Sequence, residues 1–205
     1  MKADRLLICD LDFSGSNQFD AQESLYFNAG ADSTEGILQT AFNIISSRKI
    51  TNVFIIVHGI STTNSNGYNG MSMVAGYSLP QKVGGFGLAL GQELIDVTND
   101  FLFRKWAPCK LSNIVFLSCS AANSDPAKVG GWGDGKLMLQ HIANATGANV
   151  YCADAMQYIN RDWEGDMFRF PPHSTSRGIR VNRPYPGILK RTFASYMESL
   201  DSWAE

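Results

Sequence analysis

Val53-Phe54-Ile55-Ile56-Val57-His58-Gly59 is a run of apolar residues that ends in a histidine and a glycine. An unbroken apolar run rich in β-branched and aromatic side chains, too short for a helix, fits a strand covered on both faces, as strands of a parallel sheet are. With Asn52 as its start, this strand spans Asn52–Val57. Three other segments share its character: Leu6–Leu11, Asn113–Ser118 and Asn149–Ala153. Helical spacing lies between them. Asp32 to Lys49 opens on a capping-box pair, Asp32 with Glu35, and sets Ile37, Leu38, Phe42 and Ile45 on one face. Gln92 to Trp106 carries Leu94, Ile95, Phe101, Leu102 and Trp106, and Asp134 to Thr146 carries Leu137, Met138, Ile142 and Ala145 ahead of a stop at Gly147. Alternating strand and helix predicts an α/β fold: a three-layer sandwich with right-handed crossovers and a mainly parallel sheet.

The chain of 205 residues has the length of a single domain, 1–205, with its core at about 5–155. Residues 156–205 differ in composition. Met156 to Gly187 is aromatic, arginine-rich and punctuated by prolines, which predicts loops and short strands covering a sheet edge. Ile188 to Trp203 has the stripe of an amphipathic helix, with Leu189, Phe193, Met197 and Leu200. Ser61–Lys82 and Ser120–Gly133 are expected to be long loops, which in a compact domain are usually functional or mobile.

Hydrophobic residues make up 44% of the chain and charged residues 18%, so it can bury a core, and the disordered class is excluded. Lysine plus arginine is 17 and aspartate plus glutamate 19, a net charge of −2. That balance excludes nucleic-acid binding through a broad basic field. No apolar stretch approaches the ~20 residues of a membrane span, and the block Leu6–Ile8 is too short for a signal peptide. The expected location is cytoplasmic as synthesised, and export as an effector fits the same features. Cysteines at 9, 109, 119 and 152 have no metal-site or Cys-x-x-Cys spacing and are expected as reduced thiols, with Cys9 and Cys152 core filler and Cys109, beside Pro108, in a loop.

Ligands of open α/β sheets bind beyond the carboxyl ends of the parallel strands. The four predicted strands end in Asp10-Leu11-Asp12, His58-Gly59, Ser118-Cys119-Ser120 and Asp154. Taken singly, a histidine after a strand is an ordinary edge residue and a cysteine in an apolar run is ordinary core. Together at one edge they fit thiol catalysis. A thiol near pKa ~8.5 needs a partner to become the thiolate nucleophile, and an imidazole in the same cleft can supply it and later protonate a leaving amine. An oxyanion needs N–H donors, for which the amides of Gly59 and Cys119 are candidates. That chemistry needs no cofactor and no metal, and Cys119 is expected to be exposed at its strand end.

The pair of blocks, Val53 to Gly59 and Ile114-Val115-Phe116-Leu117-Ser118-Cys119, resembles the caspase-fold cysteine peptidases, among them caspases, metacaspases, legumain, gingipains, clostripain, separase and toxin autoprocessing domains. Within that group the chain is most similar to bacterial caspase-like domains of large surface proteins and toxins, through Ile8-Cys9-Asp10, Gly87-Leu88-Ala89-Leu90-Gly91 and Thr146-Gly147-Ala148-Asn149-Val150. The resemblance covers roughly residues 5–155. It implies a cysteine endopeptidase with His58 as catalytic histidine and Cys119 as nucleophile, acting on a protein or peptide through a thioester. Their separation, 119 − 58 = 61, is near the ~50 expected of caspases. The Gln-Ala-Cys-x-Gly signature of caspases is absent, and Ser118-Cys119-Ser120-Ala121 stands in its place. The family's pocket position implies a basic preference set by Asp154, with Asp12 and then Asp10 as alternatives, because a carboxylate at a pocket floor favours arginine or lysine. Aspartates after strands also simply cap the next turn.

Two other functions remain open to the sequence. One is a catalytically silent caspase-like module that binds a protein. The other is a nucleotide-binding α/β domain, because Gly130-Gly131-Trp132-Gly133-Asp134-Gly135-Lys136 has the spacing of a P-loop. Leu137 stands where that motif needs a serine or threonine, and the segment does not directly follow a strand. His141 and His173 are expected to be structural.

Overall fold

The structure is a computed structural model and describes residues 4–13, 21–60, 62–64, 67–68, 87–124, 130, 133–155 and 166–181. In chain order its strands are β1 (Arg5–Asp10), β2 (Glu23–Phe27), β3 (Asn52–Ile56), β4 (His58–Ile60), β5 (Thr62–Asn64), β6 (Gly67–Tyr68), β7 (Gly87–Leu90), β8 (Glu93–Ile95), β9 (Asn113–Leu117), β10 (Asn149–Ala153), β11 (Met167–Phe170) and β12 (Ile179–Val181). The helices are α1 (Thr34–Arg48) and α2 (Gly135–Thr146), with 3-10 segments at Leu11–Phe13 and Asp100–Cys109.

Seven strands form the main sheet in the order β12-β11-β10-β9-β3-β1-β2. β2, β1, β3, β9 and β10 are parallel, and β11 and β12 add antiparallel at the β10 edge. The α/β, mainly parallel architecture expected from the apolar runs is present, with β1, β3, β9 and β10 within one residue of the expected ends. From β1 the chain goes to β2 on one side and returns to β3 on the other. The winding therefore reverses between β1 and β3, and their carboxyl ends open the crevice in which such sheets hold ligands.

One sheet face, with Leu6, Ile8, Val53, Ile55, Ile114 and Phe116, packs under Ile37, Leu38 and Ile45 of α1, under Phe103 and Trp106, and under Met138 and Ile142 of α2. The other face carries Leu7, Phe54, Ile56, Val115, Leu117 and Tyr151, and it is buried too, with Phe13, Ala21 and Val181 packed against it. Burial on both faces is the physical reason the strands read as continuous rather than alternating apolar runs. Among the described residues the helices all cover the first face. The expected C-terminal helix, 188–203, and most of the segment 61–82 lie outside the described residues; the described part of that segment is not loop but the antiparallel pair β5 and β6. The part of the tail that is described extends the sheet as β11 and β12.

Three expectations are corrected. The helix expected from Gln92 to Trp106 begins instead as a strand. Gly91, at φ +76°, is the first residue of a two-residue turn that pairs Leu90 with Glu93 and folds β8 back on β7. A glycine at that position with positive φ is the requirement of a II′ hairpin turn. Asp96 then turns the chain by accepting from the backbone and hydroxyl of Thr98, and a 3-10 segment follows over Asp100–Cys109. Second, the cap of α1 is Ser33, whose hydroxyl accepts from the Gly36 amide at 3.1 Å, and Asp32 instead accepts from the Asn28 amide at 2.7 Å. Third, β2 was not expected. Its residues alternate between partly buried and exposed, as an edge strand with one wet face does.

The boundaries of α2 follow the sequence closely. Asp134 is its N-cap and accepts from the Leu137 amide at 3.1 Å, and Gly147 closes it at φ +75°. The Asp134 carboxylate is buried and also accepts from the Gly130 amide at 2.8 Å, from the Ser124 hydroxyl and from the Arg177 guanidinium. Burial alone would raise its pKa, but these donors together hold it below the usual carboxylate value. A carboxyl with a depressed native pKa contributes stability above its unfolded pKa, and that contribution is lost as pH falls through the native value. Asp134→Asn keeps the shape and removes the charge. It is expected to lower the melting temperature by several degrees at pH 7 and to flatten the loss of stability of the parent chain below about pH 4. Thermal denaturation of both proteins from pH 3 to 7 checks this, and parallel curves would contradict it.

Candidate functional site

The site is built by two neighbouring strands. β3 and β9 run parallel, and their last registered pair is Ile56 with Leu117. His58 and Cys119 each stand two residues beyond that pair, at the carboxyl ends of neighbouring strands. After Val57 the chain leaves the main sheet, and β4 pairs with β7 instead, His58 with Ala89 and Gly59 with Leu88. The two chains nevertheless stay in contact. A Cβ added to Gly59 would overlap the Cys119 carbonyl oxygen and lie 2.6 Å from its carbonyl carbon and 2.8 Å from its amide nitrogen. Only a residue without a side chain lets the two backbones approach this closely.

Cys119 is followed by Ser120 in the left-handed region, φ 55°. Such a conformation costs a non-glycine residue energy, and the surroundings must hold it. The Ser120 amide donates to the Ala155 carbonyl at 2.8 Å and the Ala122 amide to the Ala153 carbonyl at 2.9 Å, which ties the turn to the end of β10. Cys119 itself is only 8% exposed, so the expectation of an exposed thiol is corrected: it sits at the strand end but beneath the surface. Cys9 and Cys152 are fully buried, as expected of core filler, and burial pushes the Cys152 thiol up to about 12. The Ser118 hydroxyl lies 3.6 Å from the Cys152 sulfur. Cys109 is half-buried, with its sulfur 3.5 Å from the Ser46 hydroxyl, and no cysteine is in a disulfide.

His58 is half-buried, its ring against Phe13 with centroids 4.4 Å apart and planes tilted by 39°. Burial lowers its pKa, and the charges of Asp10 and Asp12 oppose that shift. Asp10, at the end of β1, is buried. Burial raises its pKa, while the backbone N–H of Asp12, 3.2 Å away, pulls it back. Among the described residues its Oδ2 is buried without a hydrogen-bond partner of ordinary geometry, although the Ala29 backbone N–H also favours the charged carboxylate. Asp12 is exposed, on the 3-10 turn that carries the chain out of β1. One side-chain ligand atom from each of Asp10, Asp12 and His58 lies within 4.8 Å of the others.

The remaining site candidate, Asp154, stands at the junction of β10 with β11. It is half-buried, and its Oδ1 accepts from the Asp166 amide at 2.8 Å, which ties the end of β10 to the start of β11. The segment with P-loop spacing is arranged against phosphate binding. Asp134 already fills the N-terminus of α2 and takes the Gly130 amide, and Lys136 lies over the Phe168 ring at 4.0 Å from its centroid.

A second titratable pair lies elsewhere, where α2 meets the 3-10 segment. His141 Nδ1 is 2.7 Å from Asp100 Oδ2, and the pair lines an open groove of about 560 Å³ with Phe101, Arg104, Asn144 and Ala145. Burial pushes Asp100 up to about 6, against the opposing hydrogen bond and charge of His141. The sequence carries no signal for this pair, because its members are far apart in the chain and meet only through helix packing.

Comparison with protein-family models, with curated proteins and with solved structures finds no match to this chain. Among the described residues no helix is long and apolar enough to cross a membrane.

Proposed function

We propose that this chain is a cysteine endopeptidase of the caspase-like kind. The observation that supports the reading is the Gly59–Cys119 backbone contact just beyond the carboxyl ends of β3 and β9, next to His58 in the chain. Cys119 loses its proton to His58, and its sulfur attacks the scissile carbonyl. The C–N bond breaks as His58 returns the proton to the leaving amine, and a thioester remains. His58 then takes a proton from water, the hydroxide displaces the sulfur, and the acid product leaves with the thiol restored. The amides of Gly59 and Cys119 are the candidate donors to the oxyanion. Phe13 restricts the imidazole, and the nearby Asp10 and Asp12 carboxylates favour its charged form during the proton transfer.

An electrophilic peptide probe tests this. It is expected to modify the folded chain at Cys119, with Cys9 and Cys152 untouched, and the modification is expected to vanish in His58→Ala. Labelling confined to Cys109, the more accessible thiol, would count for the rival reading of a silent module that binds a protein. The burial of Cys119 favours that rival. For specificity, cleavage after arginine or lysine is expected from the carboxylates of Asp154 and Asp12. A positional-scanning peptide library run on the parent and on Asp154→Ala checks it. A preference for acidic or small apolar residues overturns the basic preference, and an unchanged basic preference in the variant removes Asp154 from the role.

A further inference from the structure

We propose that Asp10, Asp12 and His58 bind one Zn²⁺ ion at the carboxyl ends of β1 and β3. The three residues bring two carboxylates and an imidazole together with their ligand atoms within 4.8 Å of one another. Zn–N and Zn–O bonds are ~2.0–2.2 Å long, so ligand atoms around a tetrahedral ion stand about 3.3–3.6 Å apart. The set therefore closes by up to about 1.5 Å on binding, a movement within reach of the exposed Asp12 side chain on its 3-10 turn. The independent sign of a missing ligand is Asp10. It is 1% exposed, and among the described residues its Oδ2 is buried with no hydrogen-bond partner of ordinary geometry, the Ala29 backbone N–H acting on the carboxyl only as one of the smaller influences. A buried carboxylate oxygen left unpaired is costly, and a divalent cation beside it removes the cost. The location is the reversal point of the sheet winding, where α/β folds hold their ligands.

The donor set selects the metal class. Imidazole suits zinc and its transition-metal neighbours, whereas magnesium and calcium favour all-oxygen sets. Three protein ligands leave a fourth position open to water. Asp12 is exposed on the 3-10 turn, so it can swing onto the ion from the solvent side, while Asp10 and His58 are held by the sheet. The ion would take a lone pair of the His58 ring. Where the peptidase reading holds, Zn²⁺ then competes with proton transfer to Cys119 and inhibits. That corollary rests on the proposed function, but the metal site does not.

Isothermal titration of the purified chain with zinc chloride, without chelator at pH 7.5, tests the site without any activity assay. One ion per chain is expected for the parent and for Cys119→Ser. Affinity is expected to fall at least tenfold in Asp12→Asn, a substitution of an exposed residue that preserves shape, and in His58→Gln, with circular dichroism confirming the fold of each. Magnesium chloride is expected to bind far more weakly. The proposal is overturned by an absence of stoichiometric binding. It is equally overturned if Cys119→Ser loses the ion while Asp12→Asn keeps it, which would place zinc on the thiol. Equal affinity for Mg²⁺ with no effect of His58→Gln would also overturn it, as the mark of a hard-cation carboxylate site. If the parent hydrolyses peptides, Zn²⁺ is expected to inhibit it, and at least tenfold more of the ion is needed in Asp12→Asn. A chain that binds zinc as described but hydrolyses nothing overturns the peptidase reading alone.

Discussion

Cys119→Ala is expected to leave the fold standing and to lower the rate of peptide hydrolysis by at least about a thousandfold, and His58→Ala to do the same. Cys119 is small, lies at a strand end and is followed by a turn held by backbone hydrogen bonds from Ser120 and Ala122, none of which needs the sulfur. Removing Sγ therefore takes away the nucleophile with little change in packing. Residues that act as one unit are non-additive, so the double variant is expected to be no slower than either single one, within a factor of a few. Hydrolysis of a fluorogenic peptide mixture by the four proteins, matched by circular dichroism, reads this directly. A Cys119→Ala chain that cleaves at the parent rate would remove the thiol from the chemistry. A product of two independent losses in the double variant would mean that His58 and Cys119 do not act on the same step.

The parts of the fold legible in the sequence are those whose physics is local or two-sided. β1, β3, β9 and β10 showed as apolar runs because both faces of the sheet are buried. α2 showed at both ends because Asp134 and Gly147 perform their capping jobs by side-chain and backbone chemistry alone. β2 did not, because an edge strand with Glu23, Leu25 and Phe27 alternating against Ser24 and Tyr26 is too short for its period to stand out. The segment from Glu93 to Trp106 misleads for another reason. Leu94, Ile95, Phe101 and Leu102 have helical spacing, yet the turn at Gly91 commits Glu93–Ile95 to pairing with β7, a tertiary contact that periodicity does not see. The position of His58 and Cys119 at the carboxyl ends of adjacent strands was legible because strand ends can be counted in the sequence. Asp10 and Asp12 were legible at the same edge as His58, but the approach of their ligand atoms to within 4.8 Å of one another was not, since it depends on β1 lying beside β3 and on a 3-10 turn bringing Asp12 back. The burial of Cys119 was not legible either, because it depends on tertiary packing around the strand end.

Gly59→Ala is expected to be among the most damaging single-atom additions in the chain. The new Cβ would overlap the Cys119 carbonyl oxygen and crowd the amide nitrogen at 2.8 Å, and both atoms are backbone, with no side chain that can rotate away. Relief requires β4 to move off the end of β9, which drags the β7 pairing with it. Forcing atoms into a packed site typically costs ~1–3 kcal/mol, and the upper end applies where backbone must shift. For a chain of this size ~3 kcal/mol corresponds to a fall of roughly 6–12 °C in melting temperature. The same movement separates His58 from Cys119, so probe labelling of Cys119 is expected to fall even at temperatures where the variant stays folded. Gly147→Ala supplies the comparison. Gly147 has φ +75°, but a Cβ there meets nothing within 4 Å, so its cost is the ~1 kcal/mol of a left-handed alanine, with no effect on labelling. Differential scanning calorimetry and labelling kinetics on the three proteins separate the two causes. If Gly59→Ala melts with the parent and labels at the parent rate, the two backbones are not in contact, and the proposed pairing of His58 with Cys119 loses its physical basis.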